Sequence, residues 1–356
     1  FHYMIARFGG SDIRCAPYAT FGSAALATNT VAALDARRAC LLANHGVLAC
    51  HVSLEAALAL AGGVETPARV DAQGHGRPPR IFACRQYASL ADIVAEYIET
   101  TAGKKRPPKA VFAVAGPVLD GEIEFTNLHW VVSEGDLLAQ FEFEAVALIN
   151  DFAAQALACP LLEGPDLRML GPALPRAHEC PVVALGAGTG FGVAGLARSD
   201  RGDIAVATEG GHASFAPTDE VEIEIWRRLN ARYGRVSNER LLSGQGLYDI
   251  YCALADIQGV EPALADEMAV TTEGLVGDPL AAAALDRFGG IMGSIAGDLA
   301  LTFGARGGVY VSGGISPRIA DRLAKGPFRA RFEAKGRLSD YVRAIPTYLV
   351  LHPYPA

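Results

Sequence analysis

The sequence predicts an α/β layered fold. Short apolar runs that fit buried strands recur at 109–114, 146–149, 181–185 and 307–312, and each stops at a polar residue or a Gly-containing turn. Stretches with helix-capping signals separate them, at 89–100, at 134–140 and from Asn150 onward. Strands that alternate with helices argue for stacked layers. The 356 residues are enough for two or three domains with real cores.

The totals exclude several classes. A net charge of -8, with no Lys/Arg block or aromatic-basic ladder, argues against nucleic-acid binding. Seven cysteines, an odd number without a CxxC pair, suggest reduced thiols in a cytoplasm and not a disulfide framework or zinc ribbon. No apolar run is long enough to span a bilayer. The chain opens on Phe1, inside what reads as a strand or helix and without a signal-peptide pattern, which suggests a fragment.

Residues 1 to about 70 form a first block. Residues 1–8 and the Ala-rich 24–34 read as helices, with a break at Gly9-Gly10 and a loop over 12–18. Residues 39–49 look like two short strands that turn at Asn44-His45-Gly46, and Ser53 caps a helix to about residue 64. His45 at this tight turn is placed to bind a metal. Zinc takes three or four ligands, however, and His2 and His51 show no motif spacing. A turn histidine is the simpler reading.

Residues 71–80 are polar and rich in Gly and Pro, a linker. From 81 the pattern is a strand at 81–84, a helix over 89–100 capped by Ser89, and a strand at 109–114 ending in Ala115-Gly-Pro117. Extended segments at 122–126 and 130–132 and a helix at 134–140 follow. The run from Val146 to Ile149 then reads as a buried strand ending in Asn150 and Asp151, with an Ala-rich helix next. That construction puts a carboxamide and a carboxylate at the C-terminal end of a strand, where α/β sheets bind ligands. An ionised Asp151 near a helix N-terminus suits the dipole and could take a proton from a substrate hydroxyl. A plain helix cap by Asn150 or Asp151 is the simpler reading of this stretch alone.

A second lobe begins near 181. Strands at 181–185 and 193–196 flank the Gly-rich Gly186-Ala-Gly-Thr-Gly-Phe-Gly192, and another strand lies at 204–207. Gly186, Gly188, Thr189 and Gly190 could cradle a phosphate, since Gly lets backbone N–H groups approach and Thr adds a hydroxyl. The string is neither a Walker nor a Rossmann motif, and a structural turn explains it as well. Glu209-Gly-Gly-His212 offers a carboxylate and an imidazole suited to a polyhydroxyl ligand, or a polar loop before the helix at 218–233 that Thr218 caps. Glu239 falls in a helix started by a Ser237 cap. Helices fill most of 244–305, the longest at 279–303. A strand at 307–312 runs into Gly313-Gly314, which either borders a nucleotide or turns the chain, and 345–351 is a last strand.

Two resemblances bear on these residues. The first block resembles the C-terminal half of a class II aldolase of the fuculose-phosphate type, on Phe1-His-Tyr-Met-Ile-Ala6, Cys15-Ala-Pro-Tyr-Ala-Thr-Phe-Gly22, Asn44-His-Gly46 and Leu54-Glu-Ala-Ala-Leu58. The resemblance makes His45 a vestigial zinc ligand. The family's other His ligands and catalytic Glu fall upstream of this chain's start, so neither aldolase activity nor zinc is expected. From about 81 to the end the chain resembles bacterial glucokinases. The carrying motifs are Ala115-Gly-Pro117, Phe125-Thr-Asn127, Leu148-Ile-Asn-Asp-Phe152, Gly186-Ala-Gly-Thr-Gly190, Glu209-Gly-Gly-His212, Leu241-Leu-Ser-Gly244 and Phe332-Glu-Ala-Lys-Gly336.

The second resemblance implies a two-lobed hexokinase/actin-like (ribonuclease H-like) fold, preceded by the incomplete aldolase-like segment. The implied organisation is 1–70 aldolase-like, 71–80 linker, 81–180 small lobe and 181–356 large lobe. It implies ATP-dependent phosphorylation of glucose to glucose 6-phosphate in a cytoplasmic homodimer, with Mg²⁺ as the metal. Asp151 would be the catalytic base. Asn150, Asp151 itself, Glu209, His212 and Glu239, with Asn127 as a further candidate, would hold the sugar. Gly186, Gly188, Thr189 and Gly190 would cover phosphates, and Gly313 and Gly314 would border the adenosine.

The chain departs from the family at its start. Glucokinases open on a strand ending in Asp-Ile/Val-Gly-Gly-Thr-Asn-x-Arg, and the nearest string here is Ala61-Gly-Gly-Val-Glu-Thr-Pro-Ala-Arg69. Reduced turnover is therefore expected, and a sugar-binding chain without turnover, the remnant of a fused or mis-joined gene, is the alternative reading.

Overall fold

The structure, a computed structural model, describes residues 15–16, 39–42, 46–49, 82, 87–102, 108–125, 130–200 and 202–352. His45, Asn127, the helices expected over 1–8, 24–34 and 53–64, and all but Phe82 of the strand expected over 81–84 lie outside the described residues.

Within the first block, β1 (Cys15–Ala16), β2 (Ala39–Leu42) and β3 (Gly46–Ala49) form a three-stranded sheet in that order. β2 and β3 are antiparallel with Leu42 opposite Gly46, the hairpin expected from the turn at 44–46.

The chain divides into two units, one taking in the residues up to Leu161 and Ser199–Ile204, the other Leu162–Arg198 and Ala205–Pro353. In the first unit α1 (Leu90–Tyr97) starts at a capping box. Ser89 Oγ accepts the Asp92 N–H at 3.2 Å, and Asp92 Oδ2 accepts the Ser89 N–H at 2.9 Å. The helix continues as a π turn over Ile98–Ala102, which matches the expected end. β4 (Lys109–Val114) is followed by β5 (Glu122–Glu124) and β6 (Val131–Ser133), an antiparallel pair. α2 (Glu134–Phe141) leads to β7 (Ala145–Asn150), which lies parallel to β4 with Val114 opposite Asn150. Glu134 Oε1 accepts the Leu148 N–H at 2.7 Å, tying α2 to β7. Val94, Val114, Ile123, Leu137, Phe141 and Leu148 belong to the core these elements share. α3 (Asp151–Ala158) begins directly at the end of β7.

The second unit is built on a six-stranded mixed sheet. Its strands are β8 (Leu167–Met169), β9 (Val182–Ala187), β10 (Phe191–Ala197), β11 (Ile204–Thr208), β12 (Gly308–Ser312) and β13 (Thr347–Val350), in the order β11-β10-β9-β12-β13-β8. β9, β12 and β13 are mutually parallel neighbours, while β10 and β8 run antiparallel to theirs. Every residue of β9, β12 and β13 is buried, which is why these three read as continuous apolar runs.

The helices of this unit are α4 (Glu220–Tyr233), α5 (Gly244–Gln258), α6 (Glu267–Val276), α7 (Pro279–Phe303), α8 (Ala320–Lys325), α9 (Phe328–Glu333) and α10 (Ser339–Arg343). α7 spans the expected 279–303 and packs closely on α9. A Cβ on Gly293 would lie 2.1 Å from the Phe328 carbonyl oxygen, so only glycine permits this approach.

Two capping expectations are corrected. Asp219, not Thr218, caps α4: its Oδ1 accepts the Glu222 N–H at 2.8 Å. Thr218 instead donates its N–H and its hydroxyl to Glu222 Oε2, both at 2.9 Å. Ser237 makes no side-chain cap, and Glu239 sits in a single 3₁₀ turn, Asn238–Arg240, because Ser237 is buried and bridges Ser214 through its backbone. β8 has no counterpart among the expected strands.

Candidate functional site

In the first unit, the C-terminal ends of β4 and β7 carry Ala115-Gly-Pro117 and Asn150-Asp151 side by side. Asn150 is the helix cap. Its Oδ1 accepts the N–H groups of Phe152 and Ala153 at 3.0 and 3.1 Å, and its Nδ2 donates to the Gly116 carbonyl at 3.2 Å. Those two acceptances fill the oxygen's lone pairs, so toward a ligand Asn150 can offer only an N–H. Because Asn150 caps, Asp151 is released from that role and becomes the first residue of α3. Its half-buried carboxylate lies in the positive field of the helix start, with Oδ1 accepting the Phe152 N–H at 2.9 Å.

In the second unit, the β9–β10 hairpin turns through Gly188-Thr189-Gly190. The Gly188 N–H donates to the Gly190 carbonyl at 2.8 Å, and the Gly188 carbonyl accepts the Gly244 N–H at 2.9 Å. Gly186, on β9, pairs with Ser312 of β12. Gly313 adopts φ +85°, and a Cβ there would lie 2.4 Å from the Ala187 carbonyl oxygen. That same oxygen accepts the Ile315 N–H at 3.2 Å. The Gly188 turn and the Gly313-Gly314 turn thus stand together at the C-terminal ends of two parallel strands, the end where open α/β sheets take ligands. Thr189 and Gly314 are exposed there.

Glu209, His212 and Glu239 converge beside that hairpin. His212 Nε2 lies 4.0 Å from Glu209 Oε2, and His212 Nδ1 lies 3.8 Å from Glu239 Oε1. The loops that carry them are laced together: Asn238 N–H donates to Ala213 O at 2.9 Å, Phe215 N–H to Val236 O at 3.0 Å, and Arg235 Nη2 to His212 O at 2.7 Å. The side chains of Glu209 and His212 are 52% and 56% exposed, so their pairing contributes little stability. What the group provides is a set of acceptors around an imidazole, open to a polyhydroxyl ligand. Glu239 is more enclosed, at 32%, and its Oε2 accepts the Phe191 N–H at 3.0 Å.

Sequence reasoning missed an ion cluster in the same unit. Glu222 is fully buried and accepts from Arg287 Nη1 at 3.1 Å and Arg331 Nη2 at 2.7 Å, while Asp219 pairs with Arg287. Burial works to raise the Asp219 pKa, but the Glu222 N–H and the Arg287 guanidinium outweigh it and hold the carboxyl below its ordinary value. Arg287 and Arg331 stand 65 and 109 residues from Glu222 on two other helices, so no local spacing could have announced their pairing with it. Lys335, in the Phe332–Gly336 motif, likewise proves structural: its Nζ donates to Ser294 O at 2.7 Å and Asp298 Oδ1 at 2.6 Å, pinning the end of α9 to α7. No group of three or more potential metal ligands occurs among the described residues.

Comparison with known proteins identifies the family. A family model described as Glucokinase matches residues 57–356, and one described as Class II Aldolase and Adducin N-terminal domain matches residues 1–71. Glucokinase of Caulobacter sp. (strain K31) is 48% identical over 278 residues, spanning 78% of this chain and 84% of that protein. Glucokinase of Neisseria meningitidis serogroup B (strain ATCC BAA-335 / MC58) is 42% identical over 276 residues, spanning 77% and 84%. Among solved structures, a glucokinase from an Antarctic psychrotroph aligns with a TM-score of 0.72 at 32% identity, covering 79% of this chain and 87% of that one. Glucokinase from Balamuthia mandrillaris, in complex with glucose, shares the fold with a TM-score of 0.60 at 20% identity, covering 74% and 79%. Both resemblances seen in the sequence are present, as is the hexokinase-like α/β fold. The glucokinase match starts upstream of the residue-81 start read from the motifs, so the string from Ala61 to Arg69 falls inside it as well as inside the aldolase match.

Proposed function

The chain belongs to the glucokinase family, and from that membership we propose that it transfers the γ-phosphoryl group of ATP to O6 of glucose. The observation that carries the reading is the convergence of Glu209, His212 and Glu239 next to the Gly188–Gly190 turn within one unit. In this reading Glu209, His212 and Glu239 hold sugar hydroxyls, and Asn150 offers a hydrogen-bond donor to them. Asn127, outside the described residues, is assigned to the same side. Gly186, Gly188, Thr189 and Gly190 line the phosphates, and Gly313 and Gly314 border the adenosine.

Asp151 is the proposed base. It accepts the proton of the 6-hydroxyl as that oxygen attacks the γ-phosphorus and the bond to the β–γ bridging oxygen breaks. A positioned base contributes roughly 10²–10⁴-fold; the remainder of phosphoryl transfer is alignment and neutralisation of charge. Mg²⁺ fits as a companion of the nucleotide, since it keeps most of its waters and uses one or two protein carboxylates with the phosphates, not an all-protein cage. Bound there it would neutralise phosphate charge.

A homodimer in the cytoplasm is the assembly and place proposed from the family, testable by light scattering and fractionation. No helix among the described residues is long and apolar enough to cross a membrane. A glucose titration by calorimetry, run beside a coupled phosphorylation assay, tests the whole reading. Sugar binding with ATP-dependent product supports it. Sugar binding without product leaves the chain a sugar-binding protein.

A further inference from the structure

Gly190 belongs to the hairpin assigned to the phosphates, yet the nearest atom to a Cβ built on it is Oε2 of Glu239, at 2.6 Å. Its backbone lies outside the left-handed region, so conformation alone does not call for glycine there. What the missing side chain leaves is room for a carboxylate oxygen. That oxygen accepts the N–H of the next residue, Phe191, at 3.0 Å. The other loop packs closely on Phe191 as well: a Cβ on Gly211 would lie 1.9 Å from the Phe191 carbonyl oxygen. Of the two loops assigned to the sugar, one bonds and the other packs against the residue that ends the hairpin turn.

Glu239 has two carboxylate oxygens and divides them. Oε2 is committed to the hairpin, and Oε1 faces His212 Nδ1 at 3.8 Å. A charge-assisted bond from a backbone N–H fixes one oxygen and so aims the other. We propose that Glu239 is a joint between the two halves of the site, and that Gly190, on the phosphate side, sets sugar affinity through it. The inference rests on the proposed assignment of the sugar and phosphate sides. Its consequence is thermodynamic coupling: whatever a nucleotide does to the hairpin changes sugar affinity, and the sugar returns the same factor.

The test compares the parent chain with Gly190→Ala, reading glucose affinity by calorimetry without nucleotide and with a non-hydrolysable ATP analogue. It also reads hydrogen exchange at the Phe191 amide with no ligand present. A methyl group at 190 meets the far end of a flexible side chain and not backbone, so the variant folds. The expected result is a nucleotide-free glucose affinity weaker by roughly tenfold or more, the loss of one charge-assisted bond. The ratio of glucose affinities with and without the analogue, distinct from one in the parent, moves toward one. The Phe191 amide exchanges faster, as it does in Glu239→Ala. An unchanged glucose affinity in Gly190→Ala overturns the proposal, as does a parent ratio of one. A parent that binds no glucose defeats the functional reading instead. The joint then stands or falls on the exchange arm, where an unchanged Phe191 rate in both variants overturns it.

Discussion

Asp151 and Asn150 are adjacent residues with separable jobs. Asn150 closes the N-terminus of α3 and ties it to Gly116, while Asp151 places a carboxylate in the first turn. Replacing Asp151 by Asn keeps the size of the side chain and removes the base. Turnover should fall by roughly 10²–10⁴-fold with glucose affinity nearly unchanged, read by a coupled assay beside calorimetry. Glu222 gives a contrasting prediction, of stability and not activity. Glu222→Gln leaves Arg287 and Arg331 facing a neutral amide in a buried site, and should cost about 3–5 kcal/mol in a urea titration.

Asp219 adds a pH dependence. Its folded pKa is depressed, so its contribution is complete above the ordinary Asp value of about 3.9 and is lost as pH falls through the lower folded value. Urea midpoints taken down a pH series should converge between the parent and Asp219→Asn at the acid end, and separate above it. The sequence could name Glu209, His212 and Glu239 but not their contact, because His212 and Glu239 stand 27 positions apart and meet only through the lacing of two loops. Nor could it show that Oε2 of Glu239 is spent on the Phe191 amide, a bond that depends on the hairpin's geometry.

Elements with strong local signals were legible from the sequence. The Ser89 cap, β4 and α7 fall at their expected positions because a cap, an apolar run and a long helical stretch each leave a local signature. β8 did not, since three residues, Leu167–Met169, carry too little alternation to stand out. The cap falls to Asp219, whose Oδ1 accepts the Glu222 N–H, while Thr218 spends its N–H and hydroxyl on the Glu222 carboxylate. Element packing also yields a prediction. Gly293 and Gly297 let α7 meet α9 and Lys335 closely, and a methyl at 293 would strike the Phe328 carbonyl. Gly293→Ala should destabilise by about 1–3 kcal/mol or more, seen as a lowered Tm, although Ala is the better helix former.

At the scale of the whole molecule, one chain carries two family matches that overlap over residues 57–71. The overlap contains Ala61 to Arg69, the nearest string in this chain to the loop on which glucokinases open. Truncations separate the contributions. A chain beginning at 57, which keeps the whole glucokinase match, should retain the parent's turnover, and glucose binding by Glu209, His212 and Glu239 should persist in it and in a chain beginning at 81. The central claim is ATP-dependent transfer to glucose with Asp151 as base. Phosphorus NMR of the parent chain and of Asp151→Asn, each given glucose, ATP and Mg²⁺, addresses it most directly. Glucose 6-phosphate should accumulate with the parent and be nearly absent with the variant. Equal accumulation by both, or none by a parent that binds glucose, would contradict it.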